Sequence, residues 1–402
     1  MVEALKIYYA CNQNMERAAR TSKMPPGTFR HRVRTALREG VDKEIHGDLE
    51  PLQEQAQTDD HLAEQVRALQ AQLKTMKSET LTDQYVKSKI IKLSEASVEP
   101  PSWLLDPPKT SNVTGVPTIF ASDWHWGEVV DTRQINNVNS YDIGIAQKRA
   151  KALINTSVSL LKTRFANPNY PGVVFALGGD MVSGDIHEEL SVTNDMEIMP
   201  AVIDLWGVLA WCIETLANEF GNVFVPCVTG NHGRNTHKIR AKGRNFTSFD
   251  WLVYQFLAKR FEADDRVRFM IPEGSDAYYQ IYGHRYLLTH GDQFRGGDGM
   301  IGALGPIIRG DHRKRSRNAQ IDFEYDTMLL GHWHQLIQLQ RLIVNGSLKG
   351  YDEYAYQANF PFEPPRQALW ITHPEHGITF SAPILVEKTP TKRNGAWISW
   401  RG

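Results

Sequence analysis

Residues 329–335 read LLGHWHQ, which sets His332 and His334 one residue apart directly after an apolar run and a glycine. On an extended chain, residues i and i+2 face the same side, so the two imidazoles project toward one point. A half-exposed strand end with two solvated histidines has the same sequence pattern, and a lone His-x-His does not separate the two readings. The surrounding chain does.

From Val116 onward, short apolar runs end again and again in polar clusters. They are PTIFASD (117–123), VVFALGGD (173–180), VFVPCVTGN (223–231), YLLTHGD (286–292) and DTMLLGH (326–332). Between them lie helical stretches such as AQKRAKALINTSVSLLKTRF, MPAVIDLWGVLAWCIETLANEF and SFDWLVYQFLAKRF. Strand, polar loop and helix in alternation predict a layered α/β domain, and in such folds chemistry gathers on loops at strand ends. In order, the strand-end clusters are Asp123-Trp124-His125, Gly179-Asp180, Gly230-Asn231-His232, His290-Gly291-Asp292 and Gly331-His332-Trp333-His334. Carboxylates, imidazoles and an amide in this mixture suit a pair of divalent cations about 4 Å apart sharing one carboxylate, with manganese, iron or zinc favoured over calcium.

The ordered blocks D-x-H, G-D, G-N-H, H and G-H-x-H over 123–334 resemble the calcineurin-like metallophosphoesterase superfamily. The resemblance implies a two-sheet sandwich flanked by helices over 111–402. It also implies two divalent metal ions, Mn2+ first, with Fe, Zn or Mg as alternatives. Asp123, His125, Asp180 and His334 would hold one ion, and Asp180, Asn231, His290 and His332 the other, with Asp180 as the bridge. A water activated between the ions would attack phosphorus in line, and His232 would stabilise the transition state or act as general acid. One departure from the family pattern follows the G-N-H block, where Gly233 and Arg234 replace the usual acid. Either another acid, such as Asp123 or Asp185, supports His232, or Arg234 takes over part of the phosphate binding. Asp185 and His187 are expected in a loop on the substrate side.

Two basic stretches would line the cleft. The glycine-rich segment 291–320 carries Arg309, Arg313, Lys314, Arg315 and Arg317 and reads as a flexible clamp on a polyanion, with Arg313, Arg315 and Arg317 as substrate contacts; a solvated charge run is the plainer alternative. The loop after the G-N-H block adds His237, Lys238, Arg240, Lys242 and Arg244. Two basic loops beside one metal site favour a nucleic-acid substrate. VNGSLKGYDEYAYQ and PRQALWITHPEHGITFSAPILV read as closing strands of a second sheet, with Tyr351, Tyr354, Tyr356 and Trp370 as core or sheet-face aromatics.

The first residues differ in character. Residues 1–42 read as a small all-α helix-turn-helix domain: EALKIYYAC, a helix capped by Asn14, and a third helix capped by Thr28 and stopped by Gly40. The stretch NMERAARTSKMPPGTFRHRV resembles Fis-like helix-turn-helix families, which implies DNA contacts by Arg30, Arg32 and Arg34, with Phe29 and Val33 packed inward. Residues 43–110 read as a helical and proline-rich linker, where Leu62, Val66, Leu69, Leu73 and Met76 follow heptad spacing and would allow a homodimer through 62–76.

Composition sets the remaining bounds. The chain has 402 residues, a formal charge of −1, 41% hydrophobic residues and only three cysteines, so neither a disulfide framework nor a thiolate zinc site is expected. No long uninterrupted apolar segment and no signal-peptide pattern at the start predict a cytoplasmic protein without membrane association. The function expected is a metal-dependent phosphoesterase acting on DNA, a nuclease. The alternatives are a phosphatase or nucleotide phosphodiesterase on small or protein phosphoesters, and a non-enzymatic DNA-binding protein with a structural metal site.

Overall fold

The structure is a computed structural model and describes residues 1–49, 51, 100–107, 113–294 and 303–387. The chain divides into two compact units, Met1–Tyr85 and Val86–Gly402. The heptad stretch 62–76 lies outside the described residues.

In the first unit, the helices Val2–Ala10, Met15–Thr21 and Pro26–Arg38 are followed by a short turn of helix, Val41–Glu44. Asn14 caps the second helix, its side chain accepting the Arg17 N–H at 3.0 Å. The third helix starts at Pro26 rather than after Thr28, because a proline in the first turn has its φ already set and gives up no needed N–H. Gly40, at φ 75°, ends it. Leu5, Ala18, Ala19, Phe29, Val33 and Ala36 form the core, and the two alanines let the helices approach closely. Val41 and Ile45 pack on this core, so the unit runs past the boundary expected at 42.

The second unit is a two-sheet α/β sandwich flanked by helices. One sheet has the order β11-β10-β1-β2-β3-β4, built from β1 (Val116–Ala121), β2 (Val173–Leu177), β3 (Val223–Pro226), β4 (Val267–Met270), β10 (Arg366–His373) and β11 (Gly377–Leu385). The other has the order β5-β6-β7-β9-β8, from β5 (Asp276–Ile281), β6 (His284–Thr289), β7 (Thr327–Leu330), β8 (Ile337–Leu339) and β9 (Leu342–Val344). Phe120, Val174, Phe224 and Trp370 of the first sheet meet Tyr279, Tyr286, Leu288, Leu329 and Ile343 of the second. The hydroxyl of Tyr286 is satisfied inside this apolar layer by Thr372 Oγ1 at 2.7 Å.

Helix Ile198–Phe220 is long and apolar enough to cross a membrane by length and composition. Its stripe Ala201, Leu205, Leu209, Ile213, Leu216 is buried, however, and it packs against β2 and β3, as a core helix does. The proline-rich stretch expected as linker joins the unit early. Ser102–Leu105 makes a helical turn, Leu104 is fully buried, and its carbonyl accepts the Tyr282 N–H at 2.9 Å.

Two expectations for the C-terminal part change. β10 and β11 extend the first sheet, not a second one, because β10 pairs antiparallel with the free edge of β1. Residues 351–365 form no strand but an excursion with one helical turn, Glu353–Gln357. Tyr351 and Trp370 are buried as expected, whereas Tyr354 and Tyr356 are exposed.

β1, β2 and β3 run parallel, as do β6, β7 and β9, so their C-terminal ends deliver loops to one edge of each sheet.

Candidate metal centre

The loops at those ends hold their polar side chains on strained backbone. Asp123, His125, Asp180, His332 and His334 have φ of 56°, 47°, 50°, 67° and 52°, a left-handed region that costs non-glycine residues about 1–3 kcal/mol each. Surrounding contacts enforce it. The N–H of Asp123 bonds the Gly179 carbonyl at 3.0 Å, that of His125 the Asp180 carbonyl at 3.0 Å, and Ser347 Oγ donates to the Asp123 carbonyl at 2.9 Å. Gly230 and Gly331 permit the approach, since a Cβ on Gly230 would overlap Asp180 and one on Gly331 would overlap Asp123.

Two ligand groups result. Asp123, His125 and His334 bring their donor atoms within 4.8 Å of one another, and Asp180, His290 and His332 do the same. In the first, His125 Nε2 lies 3.1 Å from His334 Nε2, which lies 3.4 Å from Asp123 Oδ1. In the second, His290 Nε2 lies 2.9 Å from Asp180 Oδ2, while Asp180 Oδ1 accepts the His232 N–H at 2.6 Å. The first group closes without Asp180.

The electrostatics prepare neutral imidazoles beside ionised carboxylates. Burial alone would raise Asp123 and Asp180, but His334 holds Asp123 below the usual carboxylate range, and His290 with His232 holds Asp180 well below it. Burial pushes His332 down to about 4 and His232 down to about 3. His290 is the exception: burial lowers it, yet Asp180 outweighs burial and lifts it to about 10. A proton thus binds where a cation would, and metal binding displaces it.

The residues fit a pair of divalent cations. Asn231 Oδ1 is buried without a hydrogen-bond partner, as an oxygen meant for a cation would be. His290 Nδ1 faces the Gly178 carbonyl at 2.8 Å, which puts its proton on Nδ1 and the lone pair on the ligand side. His125 Nδ1 lies 3.3 Å from Glu128 Oε2 but makes no hydrogen bond there.

Several supporting residues carry no sequence signal. Asp250 is fully buried and accepts the N–H groups of Gly230 (2.9 Å), Asp180 (3.0 Å), Met181 (3.1 Å) and Val182 (3.3 Å), tying two ligand loops together. Burial and the Asp180 charge raise it to about 6. In the sequence it is only an acid in the first turn of helix Phe249–Arg260. Glu128 is held by Lys349 at 2.7 Å, and Lys349 by Asp352 at 2.6 Å, all three buried. Arg244 pairs with Asp292 at 2.9 Å and donates to the Gly230 carbonyl at 3.1 Å.

The other expected residues fall as follows. His232 sits at the site, its ring 4.6 Å from that of His125 and 5.6 Å from that of His187, with Nδ1 3.2 Å from the Ser183 carbonyl. A main-chain carbonyl therefore stands where a carboxylate was expected. Arg234 is spent on its own loop, donating to the carbonyls of Asn231 and, at 3.0 Å, of Thr236. The segment expected as a flexible clamp contains a helix, Leu304–Ala319. Within it Arg315 pairs with Asp311 at 2.8 Å and lies over the Tyr325 ring, and Arg317 pairs with Asp276 at 3.1 Å, so both guanidiniums are engaged internally; Arg313 is exposed. Lys238, Arg240 and Lys242 are exposed and have no ion pair among the described residues. Arg30, Arg32 and Arg34 are exposed on the third helix of the other unit.

No family model matches the sequence, and no curated protein does. Solved structures similar to this chain include Vps29 from Entamoeba histolytica complexed with zinc, at 10% identity and a TM-score of 0.27 over 67% of this chain and 99% of that one. A conserved uncharacterized protein from Streptococcus pneumoniae, described as a predicted phosphoesterase, matches at 13% identity and a TM-score of 0.25 over 67% and 98%. Phosphopantetheinyl hydrolase from Mycobacterium tuberculosis matches at 11% identity and a TM-score of 0.25 over 61% and 93%. Overlays this loose carry no inference about chemistry, which rests on the site itself.

Proposed function

We propose that the second unit is a dinuclear-metal-dependent phosphoesterase and that its substrate is DNA, which it cuts as a nuclease. The observation that carries the hydrolase reading is the pair of ligand groups on adjoining loops, with Asp180 and Asn231 flanking His232. Two bound divalent ions, manganese first, supply polarisation of the phosphoryl oxygens and a water made acidic enough to attack near neutral pH.

The chain's own residues do the rest. Asp180, Asn231, His290 and His332 would hold one ion and Asp123, His125 and His334 the other, and Asp180 would be the carboxylate shared by the two. His232 keeps its ring proton on Nδ1, toward the Ser183 carbonyl, and this leaves Nε2 as the free nitrogen. A phosphodiester arriving beside it supplies the negative charge that burial otherwise denies an imidazolium, so Nε2 can take up a proton and hand it to the departing oxygen. Asp250 fixes the loops of Asp180 and Gly230 against each other, keeping these atoms in register.

The choice of DNA is supported by the exposed cations Lys238, Arg240 and Lys242 in the loop that follows His232, which have no ion pair among the described residues, and by the exposed arginines of the first unit. The test is incubation of end-labelled single- and double-stranded DNA with manganese, comparing wild type with His232→Ala. Cleavage by wild type that falls at least about a hundredfold in the variant supports the reading. Hydrolysis of p-nitrophenyl phosphate without any cleavage of DNA would move the assignment to a phosphatase.

A further inference from the structure

The excursion between β9 and β10, YDEYAYQANFPFEPP (351–365), contributes nothing to the metal ligands, yet both its ends are fixed at the ligand edge. It leaves the segment after β9 in which Ser347 and the Leu348 N–H bond the Asp123 carbonyl. It returns into β10, whose first residues lie beside the C-terminal end of β1, the strand leading to Asp123. Two polar links tie it to the ligand loops. Asp352 binds Lys349, which binds Glu128, the partner of His125. Glu363 accepts the Leu336 N–H at 3.0 Å, two residues past His334.

Half of the exposed side chains of this excursion are aromatic, the others being Gln357, Ala358, Asn359 and Pro361. Tyr354 is 72% exposed, Phe362 48%, Tyr356 42% and Phe360 39%, and apart from Ala355, Ala358 and three prolines the stretch 351–365 carries no aliphatic side chain. Tyr354 and Phe360 stand edge to face at 5.9 Å, an arrangement that leaves ring faces open. The acids of the excursion are engaged: Asp352 with Lys349, Glu353 with the Asp131 N–H at 2.6 Å, and Glu363 with Arg366 at 2.7 Å. Asp352 and Glu363 thus face counter-charges, whereas Glu353, bonded to a neutral N–H, keeps its charge.

We propose that Tyr354, Phe360 and Phe362 form a base-stacking wall beside the metal centre, which takes an unpaired nucleobase next to the phosphodiester being cut. This rests on the phosphoesterase reading and narrows it to substrates with a flipped-out or single-stranded base. Stacking is indifferent to base identity, because every base has a π face, so the wall selects unpaired strands and not a sequence.

The test measures kcat and KM of the full chain with manganese on a short oligothymidylate and on an abasic strand of equal length, for wild type and Tyr354→Ala/Phe360→Ala. In parallel, calorimetry follows binding of both strands without manganese. The proposal expects KM for oligothymidylate to rise roughly five- to a hundredfold in the variant, with the abasic strand unaffected. Equal effects on both strands, or none, overturn it, as does a change of oligomeric state in the variant, which would make the rings a contact between copies. If wild type cuts neither strand but binds oligothymidylate in a Tyr354-dependent way, the hydrolase reading falls and the wall stands. If cutting persists without base dependence, the wall alone falls.

Discussion

His125 and His334, separated by 209 residues in sequence, point their Nε2 atoms at each other across 3.1 Å beside Asp123. With one ring carrying its proton on Nε2 the pair is a hydrogen bond, and a cation that takes that proton's place turns the contact into ligation. Manganese should therefore stabilise the folded chain, by about 2.7 kcal/mol when present at a hundred times its dissociation constant. In His334→Ala the manganese-induced rise in melting temperature should be clearly smaller. Thermal melts of both proteins with and without manganese check this, and equal rises in the two would remove His334 from the ligand set.

Asp250 gives a second prediction, because it alone satisfies four main-chain N–H groups of the ligand loops. Asp250→Ala strands those donors in a buried place, at about 1–3 kcal/mol for each that finds no water. The variant should lose at least about 3 kcal/mol in urea denaturation and bind manganese weakly. Asp250→Asn keeps an acceptor oxygen and should recover part of both. Full stability in Asp250→Ala would show that the loops hold themselves.

The buried Lys349 lies between Glu128 and Asp352 at 2.7 and 2.6 Å. Replacing it by methionine keeps the volume but leaves two carboxylates facing each other without a counter-charge, a loss of about 3–5 kcal/mol. Adding Glu128→Gln to Lys349→Met should restore part of that stability, since one of the unpaired charges is gone. Urea midpoints of the single and double variants measure it, and an additive loss would contradict the charge account.

A pH dependence follows from Asp276. Burial raises this carboxyl, but Lys314 at 2.5 Å and Arg317 at 3.1 Å outweigh it and bring it below 3.8. Lys314 itself is lowered, since its burial outweighs the help from Asp276. A carboxyl depressed in the folded state adds stability above its unfolded value, and that stability disappears as pH falls through the folded value. Asp276→Asn should therefore be less stable than wild type at pH 7, by about 2 kcal/mol. The gap should close as pH drops below about 4. Urea midpoints between pH 3 and 7 read it, and a gap that widens toward acid would reverse the sign.

How much of this was legible in the sequence follows from where each signal resides. The candidate metal-binding residues are readable because each ends an apolar run, so strand pattern and chemistry coincide within a few residues at Asp123, Asp180, Asn231, His290 and His332. Asp250, Glu128 and Lys349 are not, because each matters only through a neighbour distant in sequence. The glycines around Gly305 and Gly310 suggest flexibility, yet the stretch is helical; a Cβ at Gly310 would run into the Phe294 ring, so that glycine serves close packing. The placement of β10 and β11 depended on which sheet had an open edge beside β1, and alternation along a strand does not encode its neighbour.

The most direct measurement is a calorimetric titration of metal-free protein with manganese. Wild type should take up two ions per chain, and Asp180→Asn should fall to one or none while remaining folded. A folded wild-type chain that binds no manganese, iron or zinc at these groups would contradict the account.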